Sequence, residues 1–378
     1  MVINNGLVFG EDCLFKMADL AYEDGVITQV AAPGSLPAAG AIDAGGGYVL
    51  PGFVDIHSHG CVGGDFCDAS GETIEKMLAW YGSQGVTSVV PATMSYNEAI
   101  LNDILDAAMP YFDAPGHGAV LRGVNMEGPF LNTEKRGAQN PTYIMDPAVE
   151  MFGRLYDRSK GYIKLVDIAP ELPGSLEFIR AVCGRCAVSL AHTNAGYDDA
   201  LAAFEAGASH VTHLFNAMPP FLHRDPGVIG AASDRASHVE IVSDGIHLHP
   251  AVVRAVFQWF GAGRVCLVSD SMRGTGMPDG EYDLGGQMVK LEGSRATLVE
   301  GGAIAGSATG LAECCRKAIG FGVPIEQAVR AATLNPAKAA GIEHEVGSLM
   351  PGKQADIVIW NRDLQPAEVI VGGRRILN

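Results

Sequence analysis

Two histidines separated by a single residue, His57 and His59, follow an apolar run over residues 48–54. In an extended segment, residues i and i+2 point to the same side of the backbone, so both imidazoles face one shared space. Imidazole nitrogens are common ligands of zinc and other divalent metals. The spacing therefore indicates a candidate metal site, although one pair of histidines also occurs by chance.

Further polar residues come at the ends of short apolar runs later in the chain and are candidates for the same site. They are Glu127, His192, His213, His247 and Asp270. The first three of these, together with His57 and His59, offer four imidazoles and one carboxylate, a mixture that suits zinc or another divalent first-row metal. Of the 11 histidines, five fall at such run ends, and this coincidence is a stronger indication than any single motif.

These residue types predict hydrolysis. A bound divalent metal lowers the pKa of its water to about 7, so that metal-bound hydroxide serves as the nucleophile. Asp270 differs from the ligands, because a carboxylate beside such a water can accept its proton and later deliver it to a leaving amine. We expect attack on an amide or ester, with Asp270 as general base and acid. Each histidine taken singly has a structural alternative, which we expect for His210 because it begins its apolar run.

The order of the apolar runs predicts the elements that hold these residues. Continuous apolar strands that alternate with helices indicate a parallel sheet buried on both faces, within the α/β class. Eight such units predict a (β/α)8 barrel of the TIM type, whose catalytic groups lie at the C-terminal strand ends. The predicted strands are 48–56, 86–92, 119–126, 162–169, 187–191, 210–214, 238–242 and 265–268, and the predicted helices include 73–83, 99–109, 176–182, 198–206, 309–321 and 325–332.

Both ends of the chain differ from this central region, since short strand patterns alternate there with turns rich in Gly, Pro, Asp and Asn. We expect the two ends to pair into one small β-sandwich-like domain made of residues 1–48 and 345–378. Residues 49–344 would then form the metal-dependent hydrolase barrel.

The charge balance argues against several classes of partner. Asp and Glu number 43 and Lys and Arg 26, for a net charge of −17, so nucleic acid and anionic membranes are poor partners. The sequence shows neither a secretory leader pattern nor a run of about 18 apolar residues. We expect a soluble, cytoplasmic protein. The eight cysteines are scattered and do not suggest a disulfide framework.

Short motifs spread over almost the whole chain form a specific combination, above all Glu-Gly-Pro-Phe-Leu at 127–131 and Thr-His-Leu-Phe-Asn-Ala-Met at 212–218. The other motifs lie at 51–60, 135–138, 191–195, 224–227, 244–247, 268–270 and 305–307. In this combination the sequence resembles the N-acetylglucosamine-6-phosphate deacetylase family of the amidohydrolase superfamily.

The resemblance implies roles for the residues of the candidate site. Glu127, His192 and His213 resemble the ligands of the metal site common to this family, and Asp270 resembles its catalytic acid and base. The two N-terminal histidines look like a second-metal pair that some members keep and others replace. One or two divalent ions are therefore implied, with zinc expected and iron, manganese or cobalt as alternatives.

The resemblance also implies substrate contacts from the loops that follow the strands. They are Ala138, Gln139, Asn216, Ala217, Arg224 and His247. His247 is similar to the histidine that helps to polarise the acetyl carbonyl, and Asn216, Ala217 and Arg224 resemble the groups around the sugar phosphate. Relatives often have histidine at the position of Gln139, so this contact departs from the family pattern.

The implied activity is removal of acetate from N-acetylglucosamine-6-phosphate by a homodimer or homotetramer. One alternative is a related substrate, N-acetylgalactosamine-6-phosphate, and another is a cyclic-amide hydrolase. Many hydrolases of the superfamily bridge two metals with a carboxylated lysine after strand four, and the stretch 167–171 holds no lysine there. A non-catalytic metal scaffold is a third alternative, against which Asp270 argues because a structural site needs no poised carboxylate.

Overall fold

The computed structural model describes residues 1–116 and 118–376. Its strands are β1 Val2–Phe9, β2 Phe15–Glu23, β3 Val26–Ala31, β4 Ile42–Asp43, β5 Tyr48–Pro51, β6 Phe53–Asp55, β7 Gly60–Cys61, β8 Gly64–Asp65, β9 Val86–Val89, β10 Val120–Leu121, β11 Val124–Met126, β12 Ile163–Ile168, β13 Ala187–Leu190, β14 His210–Val211, β15 His238–Ile241, β16 Val265–Leu267, β17 Gly280–Leu284, β18 Gln287–Glu292, β19 Arg295–Leu298, β20 Ile357–Trp360, β21 Pro366–Val371 and β22 Arg374–Ile376. Its α-helices are α1 Gly71–Ser83, α2 Glu98–Ala108, α3 Val149–Arg158, α4 Ser175–Val182, α5 Tyr197–Ala206, α6 Gly227–Arg235, α7 Pro250–Phe260, α8 Leu311–Gly320, α9 Ile325–Ala332 and α10 Leu334–Ala339. None of the described helices is long and apolar enough to cross a membrane.

The middle of the chain forms a curled parallel sheet. Strands β11 to β16 pair in sequence order, and β6, β9 and β10 pair in a second set. A parallel bridge between Ala92 and Asn125 joins the two sets on one side. Beyond the last strand, the Asp270 backbone N–H donates to the His57 carbonyl oxygen at 2.8 Å. The segments that follow the first and last strands therefore lie against each other.

The strands of this curled sheet are apolar because other side chains cover both faces of the sheet. Every residue of β6, β9 and β16 is buried. On one face, Val54, Leu165 and Val268 belong to a cluster that also contains Ala337 of α10. On the other face, helices such as α4 and α7 bury Phe178, Val256 and their neighbours. This arrangement leaves the polar residues just past the strand ends to face one another.

Both ends of the chain contribute to one eight-stranded sheet. Its main order is β22-β21-β20-β5-β1-β2-β3, and β4 pairs with β1. Strand β5 is parallel to β1 and antiparallel to β20, so the sheet is mixed. The sheet extends to Pro51, three residues past the predicted boundary at residue 48, and β6 starts two residues later.

The structure contains elements beyond those named from the sequence. The predicted run 119–126 is split into β10 and β11, because Arg122 and Gly123 interrupt it. Gly123 lies close to strand β12, where an added Cβ would be 2.4 Å from the Lys164 Cγ atom. Helices α3, α6 and α7 belong to the outer layer with α4, and α10 packs on the other face of the curled sheet. A three-stranded antiparallel sheet, β17 to β19, is inserted between β16 and α8.

At Gly128, next to a strand end, the chain packs closely against Ser95. Its φ is +95°, and an added Cβ would lie 2.2 Å from the Ser95 Oγ atom. Gly174 has a φ of +81° with no described atom within 4 Å of the added Cβ. We expect Gly174→Ala to cost ~1–2 kcal/mol of unfolding free energy for its left-handed backbone. Gly128→Ala should cost a further ~1–3 kcal/mol for overpacking.

Urea unfolding of the two variants beside the unsubstituted protein measures this difference. Equal losses for Gly128→Ala and Gly174→Ala would contradict the close approach of the chain to Ser95.

Candidate metal centre and active site

The backbone is strained at three of the strand ends that carry site residues. His192, His213 and Asp270 have φ values of +43°, +28° and +48°. Residues other than glycine rarely take such values, which cost of order 1–3 kcal/mol each and cluster at functional sites. The strain is retained because the following loops are held in place; for example, the Thr193 N–H donates to the Ala217 carbonyl oxygen at 3.0 Å.

Glu127, His192 and His213 form the first group of potential ligands, contributed by the ends of three strand regions. The Glu127 Oε1 atom lies 3.0 Å from His192 Nε2 and 3.2 Å from His213 Nε2. The two Nε2 atoms are 3.1 Å apart. The other ring nitrogen of His192, Nδ1, donates to the Lys135 carbonyl oxygen at 2.8 Å, which directs Nε2 toward the group. One carboxylate oxygen and two imidazole nitrogens thus converge on one point.

His57, His59 and Asp270 form the second group. The Asp270 Oδ1 atom lies 3.4 Å from His59 Nε2 and 3.9 Å from His57 Nε2. Glu127 also reaches this group, since its Oε2 atom is 3.3 Å from His59 Nε2 and its Oε1 atom is 3.6 Å from His57 Nε2. The Glu127 carboxylate therefore lies between the two groups and contacts both.

The donor chemistry of both groups fits a divalent metal. In each group the three ligand atoms lie within 4.8 Å of one another, and all six residues are buried. The His57 Nε2 atom is buried and has no hydrogen-bond partner among the described residues. Buried polar atoms nearly always have partners, so an unpartnered ring nitrogen aimed at two carboxylates fits the role of a metal ligand. Nitrogen and carboxylate oxygen together suit zinc and its first-row neighbours.

The carboxylates give the second group a strongly negative potential. Burial disfavours protonation of His57, but Glu240 and Glu127 raise its pKa well above the usual range. Burial also opposes protonation of His59, yet hydrogen bonds to Asp270 and Glu127 raise its pKa to about 10. For Asp270, burial opposes ionisation, but the hydrogen bond from His59 lowers its pKa to about 2. The same negative charge would favour a divalent cation, which would bind in place of those protons.

In the first group, the pKa of His213 shifts in the opposite direction from the pKa values of His57 and His59. Burial is the largest influence and lowers its pKa below the usual range, despite the hydrogen bond to Glu127. His213 is therefore neutral near pH 7, which is the form in which an imidazole binds a metal. The Glu127 pKa is held well below its usual range because the surrounding imidazoles outweigh the effect of burial. The carboxylate is thus ionised beside a neutral imidazole.

A cavity of about 560 Å³ opens onto both groups. Most of the sequence-predicted substrate contacts line it, and they are Ala138, Gln139, Asn216, Ala217 and His247. Arg224 does not line this cavity: it is exposed, and its Nη1 atom lies 2.7 Å from the His223 Nε2 atom. The basic side chains that do line the cavity are Lys135 and Arg136.

Gln139 contacts one candidate ligand, Glu127, directly. Its Nε2 atom donates to the Glu127 Oε2 atom at 2.9 Å, and its Oε1 atom accepts from the Ser95 backbone N–H at 2.6 Å. The side chain is buried, so these two bonds fix its orientation. Gln139 therefore holds the Glu127 carboxylate in place as well as lining the cavity.

Other polar residues near the strand ends have structural partners. Glu171 accepts hydrogen bonds from the Asn132 and Thr193 side chains and from the Asn194 N–H, which ties two loops together. His249 caps the N-terminus of α7, where its Nδ1 atom accepts from the Ala251 N–H at 3.2 Å. His210, for which the sequence predicts a structural role, donates from Nε2 to the Oε1 atom of the buried Glu240 at 3.0 Å.

Two carboxylates that contact site histidines were not chosen as site residues from the sequence. The Asp244 Oδ2 atom accepts from His247 Nδ1 at 2.8 Å, and the Glu240 Oε2 atom accepts from His57 Nδ1 at 2.8 Å. The sequence did point to Asp244, because this carboxylate comes just after the end of an apolar run. Glu240 lies inside a run, and its charge between Val239 and Ile241 was the available signal.

The family model described as "Amidohydrolase family" matches residues 48–376. The chain belongs to the amidohydrolase family. Among the curated relatives of this amidohydrolase is the N-acetylglucosamine-6-phosphate deacetylase of Bacillus subtilis, 38% identical over 333 residues, which cover 86% of this chain and 83% of the relative. Another is the N-acetylgalactosamine-6-phosphate deacetylase of Escherichia coli O157:H7, 30% identical over 86% of this chain and 87% of the relative.

Solved structures also resemble this amidohydrolase along its whole length. One is an aspartate-to-alanine mutant of N-acetyl-D-glucosamine-6-phosphate deacetylase from Mycobacterium smegmatis, in complex with N-acetyl-D-glucosamine-6-phosphate. It has a TM-score of 0.92 and 32% identity, with 100% of this chain and 99% of that chain covered. The fold and the six buried candidate ligands together support a divalent metal in this amidohydrolase.

Removal of single ligands tests the division into two groups. We expect Glu127→Ala and His192→Ala to lose bound metal, and His57→Ala to lose only a second ion, because Glu127 contacts both groups and His57 belongs to one. Elemental analysis of each purified variant measures the metal content. His344→Ala is the control, since this histidine side chain is 70% exposed and its ion-pair partner is Glu345, which belongs to neither group. Full metal content in Glu127→Ala would contradict the assignment.

Proposed function

We propose that this amidohydrolase hydrolyses the acetamide of N-acetylglucosamine-6-phosphate to give acetate and glucosamine-6-phosphate. The observation that carries the proposal is the Glu127 carboxylate between two buried groups of ligands, with Asp270 beside it and a cavity above. Relatives named for this activity, at up to 38% identity, support the choice of substrate.

Zinc is the ion we propose, held by Glu127, His192 and His213, with His57 and His59 as ligands of a second ion. When bound, such an ion acidifies a water molecule and polarises the acetyl carbonyl. The chain's own contribution is to hold these side chains in a buried, preorganised site, which keeps bulk water away from the reacting amide.

Asp270 moves the proton in the proposed reaction. Its pKa of about 2 keeps it ionised near neutral pH, so it can accept a proton from the attacking water. The water oxygen adds to the acetyl carbon, the bond from carbon to nitrogen breaks, and Asp270 delivers the proton to the leaving amine. One carboxylate thus serves as base and then as acid.

We propose that His247 orients the acetyl carbonyl. Its Nδ1 atom is fixed by Asp244, and the ring lines the cavity. Burial lowers the pKa of His247, but the hydrogen bond to Asp244 outweighs burial and raises it. A ring that keeps its protons is a suitable hydrogen-bond donor to a carbonyl oxygen that gains negative charge.

The phosphate of the substrate needs a local positive charge, since the protein carries −17 overall. We propose that Asn216 and Ala217 contact the phosphate and that Arg224 supplies the charge. Arg224 lies on the loop that continues from these two residues, and its guanidinium suits bidentate contact with phosphate oxygens. Ala138 and Gln139 would contact the sugar and acetamide from the opposite wall.

We also propose how the curled sheet closes and how the two ends of the chain form a domain. The contact between Asp270 and His57 supports closure of the curled sheet into a (β/α)8 barrel over residues 49–344. The shared terminal sheet, which reaches Pro51, supports one small β domain built from both ends of the chain. We further propose a cytoplasmic homodimer or homotetramer that acts on a small amino-sugar phosphate.

A direct assay tests the function. Acetate release from N-acetylglucosamine-6-phosphate is measured with the purified protein, with and without a chelator, and again after zinc is restored. The second candidate substrate is N-acetylgalactosamine-6-phosphate, which the relative from Escherichia coli O157:H7 favours. Activity on neither sugar phosphate after zinc is restored would refute the proposed function.

Replacement of Asp270 tests the proton transfer. Asp270→Asn should lower kcat by about 10²–10⁴-fold, the usual contribution of general acid–base catalysis, while the ion of the first group stays bound. Steady-state rates and metal content are measured on the same preparation. Asp103→Asn, at an exposed position of α2, is the control. A rate within a few fold of the unsubstituted protein would remove Asp270 from the mechanism.

Replacement of Arg224 tests the phosphate contact. Arg224→Ala should lower kcat/KM severely on the phosphorylated sugar and little on N-acetylglucosamine, because remote binding energy also positions the reacting amide. Arg136→Ala is the matched comparison, since Arg136 lines the cavity. If only Arg136→Ala discriminates between the two sugars, the charge that holds the phosphate is Arg136. Equal losses on both sugars for Arg224→Ala would show a structural role.

A further inference from the structure

Glu240 is a fully buried carboxylate beneath the candidate metal centre. It lies on β15, and each of its oxygens contacts a different imidazole. The Oε2 atom accepts from His57 Nδ1 at 2.8 Å, and the Oε1 atom accepts from His210 Nε2 at 3.0 Å. The Oε2 atom is also 3.4 Å from the His213 backbone N–H. Glu240 thus supports one residue from each group of ligands.

These contacts select one tautomer of His57. An ionised carboxylate only accepts hydrogen bonds, so the proton of a neutral His57 ring must sit on Nδ1. The lone pair is then on Nε2, the atom that lies 3.6 Å from Glu127 Oε1 and 3.9 Å from Asp270 Oδ1. The opposite tautomer would point a hydrogen at these carboxylates and offer no lone pair to a metal.

His59 provides an internal contrast. Its Nδ1 atom is buried and has no hydrogen-bond partner among the described residues. Of the two histidines in the second group, His57 alone is therefore held from behind by a carboxylate. Such outer contacts fix the ring orientation and raise the basicity of a metal-binding histidine, and their loss typically costs about 10–100-fold in metal affinity.

We propose that Glu240 is a positioning residue that holds His57 as an Nε2 ligand for the second metal ion. The inference rests on the proposed metal-dependent function. It adds a residue that touches neither substrate nor metal and acts on the second ion through His57.

Two substitutions separate the charge of Glu240 from its hydrogen bond. Glu240→Gln has nearly the same shape, and its amide oxygen can still accept from His57 Nδ1 while its amide nitrogen faces His210. Glu240→Leu removes both contacts. We expect the zinc affinity of the second group to fall about tenfold in Glu240→Gln and about 100-fold in Glu240→Leu, within the range for lost outer contacts. The first group should change by only a few fold.

His210→Gln is the matched control, because His210 contacts the other oxygen of the same carboxylate but belongs to neither group. Zinc affinity is measured by titrating the metal-free full chain in competition with a chromophoric chelator, and stoichiometry by elemental analysis. Zinc binding by His210→Gln should match the unsubstituted protein. An equal loss in His210→Gln and Glu240→Leu would show general damage to the buried cluster and overturn the inference.

A second readout follows the ring itself. The ¹⁵N resonances of histidine rings in the zinc-loaded protein report which nitrogen carries the proton and which binds the ion, and His57→Ala identifies the signals of His57. We expect His57 with a proton on Nδ1 and zinc on Nε2 in the unsubstituted protein and in Glu240→Gln, and loss of this pattern in Glu240→Leu. If Glu240→Leu does not fold, Glu240→Gln with unchanged zinc affinity refutes the inference by itself.

The outcomes distinguish this inference from the proposed function. Unsubstituted protein that binds no zinc and releases no acetate would refute the function. Normal acetate release, together with zinc binding that neither Glu240→Leu nor His57→Ala alters, would overturn only the role of Glu240.

Discussion

The Glu127 carboxylate is the interaction on which the rest of the site depends. Its two oxygens contact imidazoles of both groups, at distances between 3.0 and 3.6 Å. A buried carboxylate of this kind is costly unless it is paired and hydrogen-bonded. The parallel strands therefore have to end close together, so that imidazoles from different parts of the chain surround one acidic side chain.

That requirement explains the network of supporting residues. Gln139 fixes one oxygen of Glu127, the Lys135 carbonyl fixes His192, and Glu240 fixes His57. For His192 and His57 the support binds Nδ1 and leaves the Nε2 atom that faces the centre free, and Gln139 binds the Oε2 atom of Glu127 while Oε1 lies between His192 and His213. A preorganised centre of this kind needs no rearrangement when charge develops on a substrate, which is the main way that such sites accelerate reactions.

The cavity above the centre is closed by parts of the chain outside the parallel strands. Leu284 of β17 and the segment Ala303–Gly306 line it opposite the imidazoles. The inserted sheet β17 to β19 buries its own apolar side chains together with Met94 and Met272, which attaches it to the loops that follow the strands. Part of the cavity wall thus comes from elements that hold no candidate ligand, so a change in that part can alter substrate preference without removal of a ligand.

The sequence by itself determined the parallel α/β plan and the family, and it named the six residues of the two groups as site candidates, because each lies at the end of an apolar run and the C-terminal ends of parallel strands share one edge of a sheet. Only the tertiary structure decided which atoms meet: that Glu127 lies between the groups, that Gln139 contacts Glu127, and that His249 caps a helix. Glu240 stands out in the sequence only as a charge inside an apolar run, and its position inside a strand gives no sign of which imidazoles lie beside it. The motif at 224–227 predicts a phosphate contact for Arg224. Whether this side chain reaches the cavity depends on how the loop folds, and local residue patterns do not determine the course of that loop.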